Sequence, residues 1–255
     1  MEEGIEKEEK KTKVNIPEKQ KKLQKIDREA FWLFGVMTGL IVIFLISNSI
    51  FKDLNNFEYE GLSFAKEKFG EIPVYHYYYY THPSAITASA VQGGPTLINL
   101  LFRIDPRENN VTVEGEIDLP PKNKFVYISI NDTGINECEY IQVALANLVS
   151  FLGANGFDVK GAVPDEKIAE EIKSRYITCD TNPDNGVILI QQGEKTKITR
   201  ENNCYIMDIA SCQVLDATEK FQIQTILDAK ARAEEEGNTI LTITHDPETG
   251  EIITG

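Results

Sequence analysis

Histidine, tryptophan and methionine are scarce in this chain of 255 residues, at three, one and three copies, and no cysteine occurs before Cys138. A histidine-based metal centre would need His76, His82 and His245 to converge with a carboxylate such as Asp246. No H-E-x-x-H or C-x-x-C spacing enforces that. A G-x-S-x-G nucleophile elbow and a phosphate-binding loop are also missing. The stretch Val91-Gln-Gly-Gly-Pro95 lacks the lysine and following helix of a phosphate cradle, so it reads as a turn. The sequence therefore names no catalytic residue, no cofactor-binding residue, no cofactor and no metal. Carboxylates are plentiful, but a glycosidase-type pair is defined by separation in space, which a count does not supply.

Positive charge is in short supply beyond the N-terminus. Residues 1–30 carry nine basic and eight acidic side chains, whereas the remainder carries 17 and 32, a net of −15. Such a surface repels a phosphate backbone, which argues against nucleic acid as a partner.

No charged residue occurs in Ala30–Phe51, AFWLFGVMTGLIVIFLISNSIF. About 20 mainly apolar residues suffice for a helix to cross the hydrocarbon core, and this run is that long. Phe31 and Trp32 stand at one end, where interfacial aromatics belong. Lys19, Lys21, Lys22, Lys25 and Arg28 precede the span and only Lys52 follows closely. The basic flank stays inside, so the chain is expected to be a single-pass protein of the cell membrane, N-terminus cytoplasmic and C-terminal domain extracellular. A cleaved signal peptide would have an apolar region of only about 7–15 residues and a small-residue cleavage site; SNSIFKD is a poor one. REAFWLFG likewise departs from an archaeal type IV pilin processing site. Gly35 and Gly39 form a small-xxx-small pair through which two anchors could approach as a homo-oligomer. Residues 1–29 are highly charged and read as a disordered cytoplasmic tail, with helix able to continue upstream from the span to Glu18.

All four cysteines, Cys138, Cys179, Cys204 and Cys212, follow the anchor. An even count on an oxidising side points to two disulfides, against four buried thiols as the alternative. Three pairings are open. Cys204–Cys212 is disfavoured, because an extended CYIMDIA would hold the two more than about 20 Å apart, beyond the roughly 7 Å reach of a bridge. Asn110-Val-Thr and Asn131-Asp-Thr are glycosylation sequons that fit the same compartment.

The expected fold class is α+β: the N-terminal transmembrane helix (30–51), a small antiparallel β module (52–121), and a mixed-sheet α/β domain (122–236). A tail over 237–255 forms a possible hairpin. In the β module, FEYEGLSFAKEKFG, IPVYHYYYY, TLINLLFRID and NVTVEGEIDL read as about four antiparallel strands. Beyond Lys124 the rhythm changes. KFVYISIN, FDVKGAVP and RYITC read as strands, ECEYIQVALANLVSFLGANG and PDEKIAEEIKS as helices, GVILIQQGEKTKITRENNCYIMDIAS as a meander, and SCQVLDATEKFQIQTILDAKARAEEE as a long helix. The segments LLFRIDPRENNVTVEGEI, YITCDTNPDNGVILI and CYIMDIASCQVLDATEKFQIQTILDA resemble those of uncharacterised archaeal proteins with a single membrane span ahead of a cysteine-containing extracytoplasmic α/β domain. The resemblance implies location and architecture over most of residues 57–230 and carries no site residue.

Five tyrosines and one histidine fill positions 75–80. Alternation places Tyr75, Tyr77 and Tyr79 on one face of a strand and His76, Tyr78 and Tyr80 on the other. The structural expectation is a sheet strand with tyrosine on both faces. Tyr75, Tyr77, Tyr79 and His82, with the long loop 81–95, are the candidate partner contact, since tyrosine is enriched in recognition surfaces. The functional expectation is a non-enzymatic ectodomain, with the lipid bilayer and another envelope or membrane protein as partners. The alternatives are an extracytoplasmic hydrolase of glycans or peptides working through carboxylates, and a solute-binding or sensory ectodomain.

Overall fold

The computed structural model describes residues 18–81, 96–119, 125–182, 184–235, 243–245 and 252–254. The chain divides into two compact units, one ending at Leu54 and one from Asn55 to Gly255. The first is helix α1, Glu18–Asn55. At 1.5 Å per residue its 38 residues extend about 57 Å. Its Ala30–Ser47 stretch is long and apolar enough to cross a membrane. Side chains from Phe31 to Ile46 stand exposed around the whole circumference. Gly35 and Gly39 both face open space. Residues 18–29 are helical, the upstream continuation of the span to Glu18. An adjoining helix removes the cost of nucleation, so charged good helix formers simply extend it upstream. Residues 1–17 lie outside the described residues.

The second unit is α+β. Strands β1 (Asn56–Tyr59), β2 (Leu62–Phe69), β3 (Ile72–Thr81) and β4 (Thr96–Phe102) form an antiparallel sheet in the order β1-β2-β3-β4. The run 57–70 is a hairpin rather than one strand. Glu60 and Gly61 both have positive φ (51° and 75°), the left-handed pair whose twist suits a two-residue hairpin turn.

A six-stranded mixed sheet follows, from β5 (Thr112–Glu114), β6 (Phe125–Ile130), β7 (Asp158–Ala162), β8 (Gly186–Gln192), β9 (Lys197–Glu201) and β10 (Cys204–Ile209), in the order β5-β9-β10-β8-β6-β7. Strands β10, β8, β6 and β7 are parallel; β9 runs antiparallel to β10, and β5 parallel to β9. Helices α2 (Ile141–Ala154), α3 (Glu166–Ile172) and α4 (Val214–Glu235) complete the unit. The tail supplies the antiparallel pair β11 (Ile243–His245) and β12 (Ile252–Thr254). Three expectations shift. The valine-rich strand near Val111 joins the second sheet instead of the first, and RYITC makes only a bridge between Val163 and Tyr176. The run 186–211 is no meander, because β10 inserts between β8 and β9 and pairs parallel with β8.

A single core holds both sheets. Leu62, Phe64, Tyr75, Tyr77, Leu100 and Phe102 from the first join Ile128, Ile188, Ile190, Met207 and Tyr205 from the second, with Leu148 and Phe151 of α2 and Phe221 of α4 among them. Each such side chain withdrawn from water is worth about 1.5–3 kcal/mol. Helix α4 reaches both sheets. Lys220 Nζ bonds the Tyr59 hydroxyl at 3.1 Å on one side, and the Phe221 ring packs edge-on against Tyr205 at 5.5 Å on the other. Buried nearly all round over its first three turns, α4 is the central element. The far face of the six-stranded sheet has a smaller cluster of Tyr127, Ala162, Ile177, Val187, Leu189 and Cys204, with Cys179 against it.

Candidate functional site

Strand β3 places its tyrosines by alternation. Tyr75 and Tyr77 are only 5% and 6% exposed. Tyr77 packs against Phe64 at 5.4 Å and stacks on Tyr79 at 5.8 Å. The Tyr79 hydroxyl accepts a hydrogen bond from Asn155 Nδ2 at the end of α2, 2.6 Å away. Burial pushes the Tyr77 hydroxyl up to about 12 and raises that of Tyr79 as well, Asn155 partly opposing the shift. Of the candidate contact residues, Tyr75 and Tyr77 are buried in the core and Tyr79 is half-buried against it. His82 and the loop 82–95 lie outside the described residues.

The opposite face of the same sheet looks outward. His76 lies between Glu67 Oε2 (3.3 Å from Nε2) and Asn99 Oδ1 (3.2 Å from Nδ1), with the Tyr78 hydroxyl 3.3 Å from Nδ1 and its ring stacked at 5.8 Å. Around this polar centre Phe69, Ile72, Leu97 and Leu101 are exposed. From Ile72 to Phe102 the chain has no Asp, Glu, Lys or Arg, so all 26 basic and 40 acidic residues lie elsewhere. In the sequence the run is visible as a gap in charge and carries no catalytic motif.

Both disulfides form: Cys138–Cys212 and Cys179–Cys204, each with Cα atoms 5.3 Å apart. Cys204 begins β10 and Cys212 follows it, so the extended strand separates them as expected. Cys138 precedes α2 and Cys212 precedes α4. Their bridge therefore joins the segments leaving β6 and β10, the two strands that flank β8. Open α/β sheets bind ligands outside the carboxyl ends of adjacent strands whose connections diverge, here β6 and β8. In this chain Gln192 at the end of β8 abuts Gly134 so closely that a Cβ there would collide with its amide. The Gln192–Gly134 contact therefore lies at that end of the sheet, between the two segments that the Cys138–Cys212 bridge joins.

Two carboxylates clasp the exit of β4. Glu219 of α4, 1% exposed, accepts the backbone N–H groups of Arg103 (2.8 Å) and Ile104 (2.9 Å), one on each oxygen. Burial pushes its carboxyl up to about 7, the two N–H groups partly opposing the shift. Asp105 takes Arg107 Nε and Nη2 at 2.9 and 2.7 Å, which holds its carboxyl below the usual range. With both oxygens engaged by the main chain, Glu219 is a structural clasp that presents neither to a substrate. No group of three or more His, Cys, Asp or Glu side chains able to hold a metal occurs among the described residues.

The sequons differ. Asn110 is exposed ahead of β5, beside a buried Asn109 whose amide anchors to the Asp216 carbonyl at 2.9 Å. Asn131 is half-buried, its Oδ1 accepting the Thr133 N–H at 3.3 Å. No protein-family model matches the chain, and no curated protein or solved structure matches it either.

Proposed function

We propose that this protein is a membrane-tethered extracytoplasmic domain that works by binding another envelope protein through the outer face of its four-stranded sheet. The observation that carries the reading is the charge-free run Ile72–Phe102, whose outward side chains Ile72, Tyr78, Leu97 and Leu101 form a surface of low desolvation cost on a chain of net charge −14. The apolar helix and the two disulfides support the location: an anchor for the bilayer, and bridges that persist in an oxidising compartment. The orientation rests on the basic flank at residues 19–28, as does an extracellular setting for Asn110 as the more accessible of the two sequons.

Installing a photoreactive residue as Ile72→p-benzoylphenylalanine in the full chain, in native membranes, should yield an adduct with a distinct envelope protein after irradiation and mass spectrometry. The same residue placed at exposed Glu171 on α3 should not. Equal labelling from both positions would overturn the reading, and so would removal of residues 82–95 together with Leu97→Glu leaving partner capture unchanged.

A further inference from the structure

Among the described residues the two sheets present four edge strands, β1 and β4 in one and β5 and β7 in the other. An edge strand exposes a row of unpaired N–H and C=O groups and invites pairing, which proteins discourage with short strands, charged side chains, proline or bulges. Three of these edges are so protected. Strand β1 has four residues and Glu58, β5 has three and Glu114, and β7 carries Asp158 and Lys160. Strand β4, Thr-Leu-Ile-Asn-Leu-Leu-Phe, has seven residues, no charge and no proline. Leu97 and Leu101 on its outward face are 41% and 48% exposed.

We propose that β4 is a self-association edge, where two copies of this chain pair antiparallel about a two-fold axis through Asn99 to make one continuous eight-stranded sheet. A two-fold interface sets each residue against its own image or a mirror position. Asn99 is the middle residue of β4. Placing it opposite Asn99 of a second copy sets Leu97 opposite Leu101 and Leu101 opposite Leu97 on the outward face, with Ile98 opposite Leu100 on the inward face. The side-chain order Leu-Ile-Asn-Leu-Leu thus reads nearly alike from both ends. Slipping by one residue sets outward side chains against inward ones. Slipping by two sets leucine against Asn99 and brings Pro95 or Arg103 into the pairing. Only the Asn99-centred register sets Leu97, Ile98, Leu100 and Leu101 all opposite apolar partners, the pairing that stabilises sheets, with Thr96 opposite Phe102 at the ends. The occupant is a second copy because a charged strand placed on its own image repels itself, and β4 is the edge without charge. The binding role proposed above uses the same surface, and self-pairing rests on it only in that β4 borders it.

The test is site-directed crosslinking of the full chain in mild detergent, where all four native cysteines are bridged. Under mild oxidation Asn99→Cys should give a reducible dimer as the main species. Leu97→Cys and Leu101→Cys should each stay largely monomeric alone and crosslink when mixed. Ser63→Cys, on the same outward face but away from the edge, should give at least tenfold less dimer. Leu101→Lys should lower the dimer fraction in sedimentation by a similar factor. Equal crosslinking at Asn99→Cys and Ser63→Cys would overturn the proposal, as would a dimer abolished by Gly35→Leu/Gly39→Leu and untouched by Leu101→Lys. A chain that remains monomeric yet still gives the Ile72 adduct with another envelope protein overturns self-pairing and leaves the binding role standing.

Discussion

Cys138 and Cys212 fasten the start of α2 to the start of α4, their Cα atoms 5.3 Å apart across a sequence separation of 74. The bridge clamps α2 and α4 together near the start of each. The second bridge, Cys179–Cys204, closes only 25 residues and covers the thin far face of the sheet. In the chain-entropy account, stabilisation grows with the loop closed, to about 4.5 kcal/mol for the longer and about 3.5 kcal/mol for the shorter. Cys138→Ser/Cys212→Ser should therefore lower the urea midpoint more than Cys179→Ser/Cys204→Ser. Equal or reversed losses would show that the covered far face outweighs loop length.

Gly193 joins β8 to β9, and its N–H donates to the Ile209 carbonyl at 2.9 Å. A Cβ at this position would lie 2.6 Å from Asp208 Cβ, too close for any side chain. Crowding arises because β10 inserts between β8 and β9, so the connection must cross close over its end. Asp208 does not swing aside freely, since Gln191 Nε2 holds its carboxylate at 2.9 Å. Gly193→Ala should cost about 1–3 kcal/mol by overpacking. A control at Gly153, where a Cβ meets nothing within 4 Å, should cost far less. Thermal unfolding of the two variants side by side decides.

Glu219 makes stability depend on pH in a direction opposite to most carboxylates. Its folded-state value, about 7, lies above its ordinary 4.5. The folded form therefore binds the proton more tightly than the unfolded chain between those values. The contribution is fully present below about 4.5 and is lost as pH rises through about 7, a change on the order of 3 kcal/mol. Asp105, held low by Arg107, acts oppositely but only below its ordinary 3.8, outside this window. Denaturant midpoints of the intact chain should rise on acidification from pH 8 to pH 5, and Glu219→Gln should flatten that part of the profile. A wild-type slope that survives the substitution would assign it to other groups.

The apolar span, the α+β class, the two helices after Lys124, the long helix α4 and the tail hairpin were legible because each is written in a local rhythm. The failures were long-range. Strand β5 looks like its predecessors in alternation, yet it pairs with β9, some 85 residues later, and no local pattern encodes a distant partner. Tyr176–Cys179 has strand composition, but the Cys179–Cys204 bridge holds that segment over the face of the sheet instead of within it. Which face of β3 turns inward was equally hidden. Alternation separates Tyr77 from His76 without saying which side the helices cover, and tyrosine serves both a core and a surface. The unprotected edge at β4 becomes meaningful only once the sheet order is known.

The assignment of Tyr77 to the core can be tested against its neighbour. Tyr77 contacts Phe64 and Tyr79 inside the sheet, whereas the Tyr78 ring lies on the outward side over His76. Tyr77→Ala should leave a cavity and cost about 3–5 kcal/mol, while Tyr77→Phe keeps the ring and should cost less than about 1.5 kcal/mol. Tyr78→Ala should change stability by about 1 kcal/mol or less and instead weaken capture of the proposed envelope partner at Ile72. The informative measurement pairs unfolding midpoints with photo-adduct yield on the same three variants. If Tyr77→Phe abolished the adduct at unchanged stability, the buried hydroxyl would have to reach the partner, and the inward face of β3 would open on binding.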